Sequence, residues 1–258
     1  MALLIILTLA LLAGSCCSTS TSRIINGEST TIEKYPSLVQ VEFREKSTGI
    51  WSQSCAASVL NSRYVLSAGH CFSGMLYSPD QRRIRAGTTY RNHGGIIVDI
   101  EKENNHPSFD PSSFDGDISV VRLSSALQYT TAIQRSTIIG QGAVISDNMP
   151  VIHAGWGDTF EGVPSNVLLE AIVYTINTEL CRQHYNDMNI NITDNMVCAG
   201  LLNVGGRGFC ERDDGGPLYY SNIVVGVISW GVGCANGTYP GVSTKVASYS
   251  NWIVSTAV

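Results

Sequence analysis

Short apolar runs, each broken after a few residues by Gly, Asn, Pro or Ser, restrict this chain to a narrow set of folds. Val39, Val41 and Phe43 alternate with Gln40, Glu42 and Arg44, the period of a strand with one buried face. Further runs follow at Val65-Leu66, Ile96-Ile97-Val98, Ile118-Ser119-Val120-Val121 and Ile223 to Ile228. Many short strands separated by turn signals predict an all-β sandwich or barrel. Only the tail departs from this pattern: Val246, Tyr249, Trp252 and Ile253 recur at helical spacing and predict a terminal helix from about residue 245. The 258 residues suffice for one large all-β unit or two small ones, and no internal repeat or low-complexity linker interrupts them.

The N-terminus and the cysteines point to an oxidising, extracellular compartment. Met1 to Gly14 is an apolar run ending in small residues, too short for a comfortable membrane span. It reads as a secretory signal peptide over residues 1–17, although it lacks the usual basic start. No later stretch is long and apolar enough to predict a membrane span. Of the eight Cys, Cys16 and Cys17 fall at the signal junction; Cys55, Cys71, Cys181, Cys198, Cys210 and Cys234 form an even set that fits three disulfides, and spacing alone leaves their pairing open. No CxxC or Cys/His cluster has zinc spacing, so neither a metal nor another cofactor is expected. A formal charge of −5 argues against a nucleic-acid partner, since phosphate binding needs a basic face. The basic charge is carried by 12 Arg and only 4 Lys, a bias that suits an alkaline fluid or reflects compositional drift. Asn191-Ile192-Thr193 and Asn236-Gly237-Thr238 are candidate glycosylation sequons.

Four segments carry a family resemblance. Arg23 precedes Ile24-Ile25-Asn26-Gly27; Leu66-Ser67-Ala68-Gly69 leads into His70-Cys71; Phe114-Asp115-Gly116-Asp117 leads into Ile118; and Gly208-Phe209-Cys210-Glu211-Arg212-Asp213-Asp214 leads into Gly215-Gly216-Pro217. Together they resemble the chymotrypsin-fold serine proteases, most closely the secreted digestive trypsins of insects, particularly Lepidoptera. The resemblance runs from Arg23 to the C-terminus. It implies two antiparallel six-stranded β-barrels packed around a cleft, with a C-terminal helix. It divides the chain into a signal peptide (1–17), an activation peptide (18–23) and a protease domain (24–258). Cleavage after Arg23 would free an amino group at Ile24 to pair with Asp213, and the mature charge would then be −6, from 15 basic and 21 acidic groups. The implied disulfides are Cys55–Cys71, Cys181–Cys198 and Cys210–Cys234.

By the same resemblance His70 is the general base and Asp117 its orienting acid, with Asp115 as the neighbouring candidate. Gly69 stands where the family has Ala. The family's loop reads Gly-Asp-Ser-Gly-Gly-Pro; here Arg212 takes the place of its first Gly and Asp214 that of the nucleophilic Ser. A serine works because histidine removes its proton. An aspartate, which ordinarily titrates at about pH 3.9, has no proton to give near neutrality and is a weak nucleophile toward an amide. Water activation by paired aspartates needs two carboxylates sharing a proton, whereas Asp117 and Asp214 are expected on opposite sides of His70. Acids on both sides hold the imidazole as imidazolium, a poor base. The oxyanion hole falls at Arg212 and Asp214, where an Arg212–Asp214 ion pair is expected to plug it.

The specificity pocket maps to Gly208, Ser229, Trp230, Gly231 and Gly241. Its walls read as intact, and its base lacks the trypsin carboxylate at Gly208, so a neutral or apolar occupant is expected. The leading reading is a monomeric, secreted, proteolytically inactive homologue that works by binding a protein or peptide in the cleft, protease inhibitors included, in a regulatory, recognition or decoy role. Two others stay open: a hydrolase with residual or altered activity, favoured by His70, Asp117 and Asp213, and a diverged duplicate of a digestive trypsin without a strong role.

Overall fold

The computed structural model describes residues 27–74, 77–159 and 162–258. The segment holding the proposed signal peptide, Arg23 and Ile24 lies outside them. Six strands close the first barrel: β1 (Leu38–Arg44), β2 (Trp51–Asn61), β3 (Tyr64–Ser67), β4 (Arg82–Ala86), β5 (Ile96–Asn105) and β6 (Ser119–Leu123). They pair antiparallel in the order β1-β2-β3-β6-β5-β4, and β4 returns to β1. A second six, β7 (Pro150–Gly155), β8 (Leu169–Ile176), β9 (Met196–Gly200), β10 (Pro217–Tyr220), β11 (Ile223–Trp230) and β12 (Gly241–Lys245), pairs antiparallel as β7-β8-β9-β12-β11-β10. The pairing of β10 with β7 closes that ring too. Closure removes the exposed strand edges that an open sheet of this size would present.

β1 departs from the alternating pattern read in its sequence. Gln40 and Glu42 are as fully buried as Val39 and Val41. The polar face is covered because its groups are satisfied: Glu42 accepts from Arg83 Nε at 2.6 Å and from Arg85 Nε at 2.5 Å. Gln40 donates to the Tyr90 carbonyl and accepts from the Asn92 backbone N–H. A buried charge with two guanidinium partners is tolerated where a lone one is not.

The tail helix, α2 (Ser250–Thr256), begins later than its periodicity predicts, because Val246–Ser248 form a 3₁₀ turn first. Val246, Tyr249 and Ile253 are buried. The chain end is tied to the first barrel: Asn61 Nδ2 donates to the Ala257 carbonyl and Tyr64 Oη to that of Val258. A helix that the strand reading passes over, α1 (Thr178–Tyr185), is capped by Asn177, whose Oδ1 accepts from the N–H groups of Glu179 and Leu180. Disulfides join Cys55–Cys71, Cys181–Cys198 and Cys210–Cys234. Among the described residues, no helix is long and apolar enough to cross a membrane.

Candidate active-site cleft

His70 opens a 3₁₀ turn just after β3, Asp117 lies two residues before β6, and Asp214 ends the loop that runs into β10. The first two come from one barrel and the third from the other. Asp117 is fully buried, and four bonds fix it. Its Oδ1 accepts from the His70 backbone N–H at 2.8 Å, and its Oδ2 faces His70 Nδ1 at 2.8 Å. The Ser229 hydroxyl donates to the same Oδ2, and the Thr244 hydroxyl donates to the Asp117 carbonyl. Ser229 therefore both lines the cleft and points its hydroxyl at the acid beside His70. Thr244 carries no motif that sequence alone could flag. Asp115, the alternative acid, instead accepts from Thr193 and Asn195 across the barrel interface, away from the imidazole.

The outer face of His70 is bounded by Phe114, whose ring stands edge-on with centroids 5.7 Å apart. His70 Nε2 lies 4.0 Å from Asp214 Oδ2, beyond hydrogen-bond reach but within strong electrostatic range. Burial disfavours charge on the imidazole, yet the hydrogen bond to Asp117 and the charges of Asp117 and Asp214 outweigh it and raise its pKa. Asp214 is pushed up to about 6 by burial, while the His70 charge and the Arg212 backbone N–H pull it back down. His70 and Asp214 thus each favour the charged form of the other. Cys55 and Cys71 also approach His70, but their sulfurs are joined to each other and offer no thiolate to a metal.

The Arg212 side chain does not form the expected pair with Asp214. Its guanidinium binds Asp158 instead, and its backbone takes φ 74°. In that left-handed conformation the carbonyl accepts from Gln53 Nε2 at 2.7 Å, and the side chain leaves the cleft. The Arg212 backbone N–H nonetheless acts on the Asp214 carboxylate and holds its pKa down. Gly215 follows at φ 79°, and a Cβ there would collide with the Ser67 hydroxyl.

Asp213 is fully buried beside this loop. It accepts from the N–H of Gly157 at 2.8 Å and of Cys210 at 3.2 Å. Burial pushes it up to about 7, and no ion pair reaches it among the described residues.

Ser229, Trp230 and Gly231 line the cleft beside Asp214, Gly208 and Gly241 border a separate small cavity, and Phe209 lines both. The Phe209 ring lies between Gly231 and Gly241. A Cβ on Gly241 would collide with it, and one on Gly231 would touch it at 3.6 Å. The glycines that read as intact walls enclose the chain's own aromatic side chain. Beneath it remains a cavity of about 20 Å³ bordered by His153, Gly208 and Gly241. His153 is 1% exposed, stands edge-on to Phe209 at 6.1 Å, and is pushed down to about 4 by burial. Above the ring, a cleft of about 290 Å³ opens between His70, Glu211, Asp214 and Trp230–Gly231.

The two sequons differ in setting. Asn191 is exposed, whereas Asn236 is half-buried, with its amide nitrogen bound to the Val232 carbonyl at 3.1 Å.

The comparisons with known proteins agree with this geometry. A family model described as Trypsin matches residues 24–253. The chain is 38% identical over 251 residues to "Trypsin, alkaline B" of Manduca sexta, covering 97% of each chain. It is 40% identical over 232 residues to "Trypsin, alkaline A" of the same moth, covering 90% of each. To "Trypsin CFT-1" of Choristoneura fumiferana it is 38% identical over 236 residues, covering 91% of each. With both barrels closed around the cleft and relatives matched over nearly their full length, the chain belongs to the trypsin family of serine proteases.

Proposed function

We propose that this chain is a secreted trypsin homologue that does not cleave peptides and acts by binding a protein or peptide at its cleft. The observation that carries the reading is Asp214, whose carboxylate stands 4.0 Å from His70 Nε2 where the family places a serine hydroxyl. Peptide hydrolysis by this architecture requires a hydroxyl whose proton passes to the imidazole, then an electropositive hole for the oxyanion. Asp214 near neutrality lacks that proton and puts negative charge at the hole. With carboxylates on both sides, His70 is held toward imidazolium and is a poor base. The role of the activation site rests on Asp213: cleavage after Arg23 would give its buried carboxylate the Ile24 ammonium as a partner.

The same frame supports one second reading, a residual hydrolase, because Asp117 keeps every bond that would orient a working His70. Turnover of a diverse peptide library by protein cut after Arg23 separates the two. A variant carrying Arg212→Gly and Asp214→Ser serves as the folding control, and Tm is measured for both. Silence from the native chain alongside cleavage by an equally stable variant rejects the hydrolase reading, and capture of a peptide or inhibitor at the cleft by the native chain then upholds the binding reading. Cleavage by the native chain that His70→Ala abolishes rejects it.

A further inference from the structure

Phe209 lines the open cleft on one side and the small cavity above His153 on the other, and so forms the partition between them. Its ring is gripped by backbone, against Gly241 on one side and within contact of Gly231 on the other. Any side chain entering between these glycines would have to displace an aromatic ring into the cleft mouth. The cavity below offers no refuge: about 20 Å³ is roughly the room of a single water, far less than a phenyl ring. The edge beside the floor remains accessible, because Gly231 is exposed and continues β11 along the cleft. An extended peptide can add main-chain hydrogen bonds along such an edge without burying a large side chain.

We propose that Phe209 is a built-in occupant of the specificity pocket, and that the cleft therefore accepts extended peptide segments with Gly or Ala over the ring and rejects those with Lys, Arg, Leu or aromatic residues there. The ligand class rests on the binding reading above; the occupied pocket does not. A segment with Lys or Arg at this point would meet a ring and, below it, Gly208 without a carboxylate. Inhibitors that present a basic residue to a trypsin pocket are thus poor partners, which narrows the decoy role to inhibitors presenting a small residue.

Two measurements on the full mature chain test this. In the first, a rigid substrate-like inhibitor is made with Gly, Ala, Leu or Lys at the position over Phe209, and its binding to native protein and to Phe209→Ala is compared. The native chain should bind the Gly and Ala forms at least about 10-fold tighter than the Leu form, the scale of one or two misplaced methylenes. Phe209→Ala should recover the Leu form by a similar factor. Equal binding of the Leu and Gly forms by the native chain overturns the proposal and leaves the binding reading standing.

The second measurement needs no natural partner and decides the matter even if no inhibitor form binds. Phe209→Ala should take up indole or benzene, seen by ligand-observed NMR and a rise in Tm, and the native chain should not, since an apolar cavity of ring size binds such molecules. That result supports the occupied pocket even when the binding reading fails. Uptake by the native chain equal to the variant's, or by neither, overturns it. Should Phe209→Ala not fold, Phe209→Val tests the same point with benzene.

Discussion

The two walls of the cleft have been treated differently. On the first barrel's side, His70 and Asp117 keep a complete set of bonds, including hydroxyl donors from Ser229 and Thr244 of the other barrel. On the second barrel's side, a single loop holds Gly208, Phe209, Arg212 and Asp214, the residues on which the binding reading and the occupied pocket rest. The path of that loop is nonetheless fixed by backbone groups. Ala56 N–H donates to the Asp214 carbonyl at 2.8 Å, Gly215 N–H to that of Ile228 at 2.7 Å, and Gly216 N–H to that of Asp213 at 3.0 Å. Bonds between backbones do not depend on side-chain identity, so positions 209, 212 and 214 can change while the loop stays in place. Fold and chemistry are separable here because they use different atoms of the same residues.

If that separation is real, chemistry should return with few substitutions. Arg212→Gly with Asp214→Ser restores a hydroxyl and clears negative charge from the oxyanion site, but leaves Phe209 between Gly231 and Gly241. Adding Phe209→Ser should raise kcat/KM on peptides with a bulky residue before the scissile bond by on the order of 10²-fold over the double variant. Substrates with Gly or Ala at that position should gain little from the third change. Progress curves on matched substrates give the ratio, and a triple variant no better than the double would place the obstruction elsewhere.

The intact wall can be broken from the opposite side. Within the reverted background, Asp117→Asn keeps the shape but removes the charge that fixes the imidazole, and turnover should fall by about 10⁴-fold. In the native chain the same substitution should lower the His70 pKa, because the hydrogen bond and charge that raise it come first from Asp117. Titration of the imidazole resonances by NMR reads the shift directly. A His70 pKa that stays raised would assign the effect to Asp214 instead.

Asp213 gives a test of the proposed cleavage after Arg23. Burial raises it from 3.8 to about 7, so the folded chain holds a proton that the unfolded chain has lost across this interval. Stability from this group is complete below about pH 4 and is lost as pH rises toward 7. An ammonium freed at Ile24 would stabilise the carboxylate and remove that loss. Cleavage after Arg23 should therefore raise Tm at pH 8 by on the order of 5 °C and change it little at pH 4. Calorimetry of cut and uncut protein at both pH values checks this, and equal shifts at the two would sever the link to Asp213.

Much of the molecule is legible in its residues. Strand periodicity and turn signals suffice for an all-β body, and His70-Cys71, Asp117-Ile118 and Gly215-Gly216-Pro217 locate the cleft. What stays hidden depends on distance in space. Sequence adjacency pairs Arg212 with Asp214, yet a positive φ turns its side chain to Asp158, more than fifty positions earlier. Phe209 reads as a bystander because nothing local says that a ring can fit between Gly231 and Gly241. Gln40 and Glu42 look like a solvent face since their partners, Arg83, Arg85 and Asn92, arrive from other segments. Ser229 stands out in the sequence as a cleft residue, but its bond to Asp117 does not, because a strand's alternation does not say which barrel its hydroxyl faces.

The smallest expected effect is also the most direct test of whether the altered loop has been rebuilt or merely tolerated. Arg212→Gly removes the pair with Asp158, and the Arg212 side chain is 37% exposed, so solvent and salt screen that interaction. Exposed or half-exposed pairs contribute about 0–1 kcal/mol. Against this loss, glycine accepts the left-handed φ of 74° that any other residue holds at a strain of about 1–2 kcal/mol. Glycine also gives up more chain entropy on folding, which offsets part of that relief. Asp158 would not be left alone, because the Arg91 guanidinium lies within its field. The net change should stay within about 1 kcal/mol and vary little with salt. Urea denaturation at low and high ionic strength measures it. A loss beyond about 3 kcal/mol would mean that Asp158 becomes an uncompensated buried charge, and that the second wall is held by its new side chains as well as by its backbone.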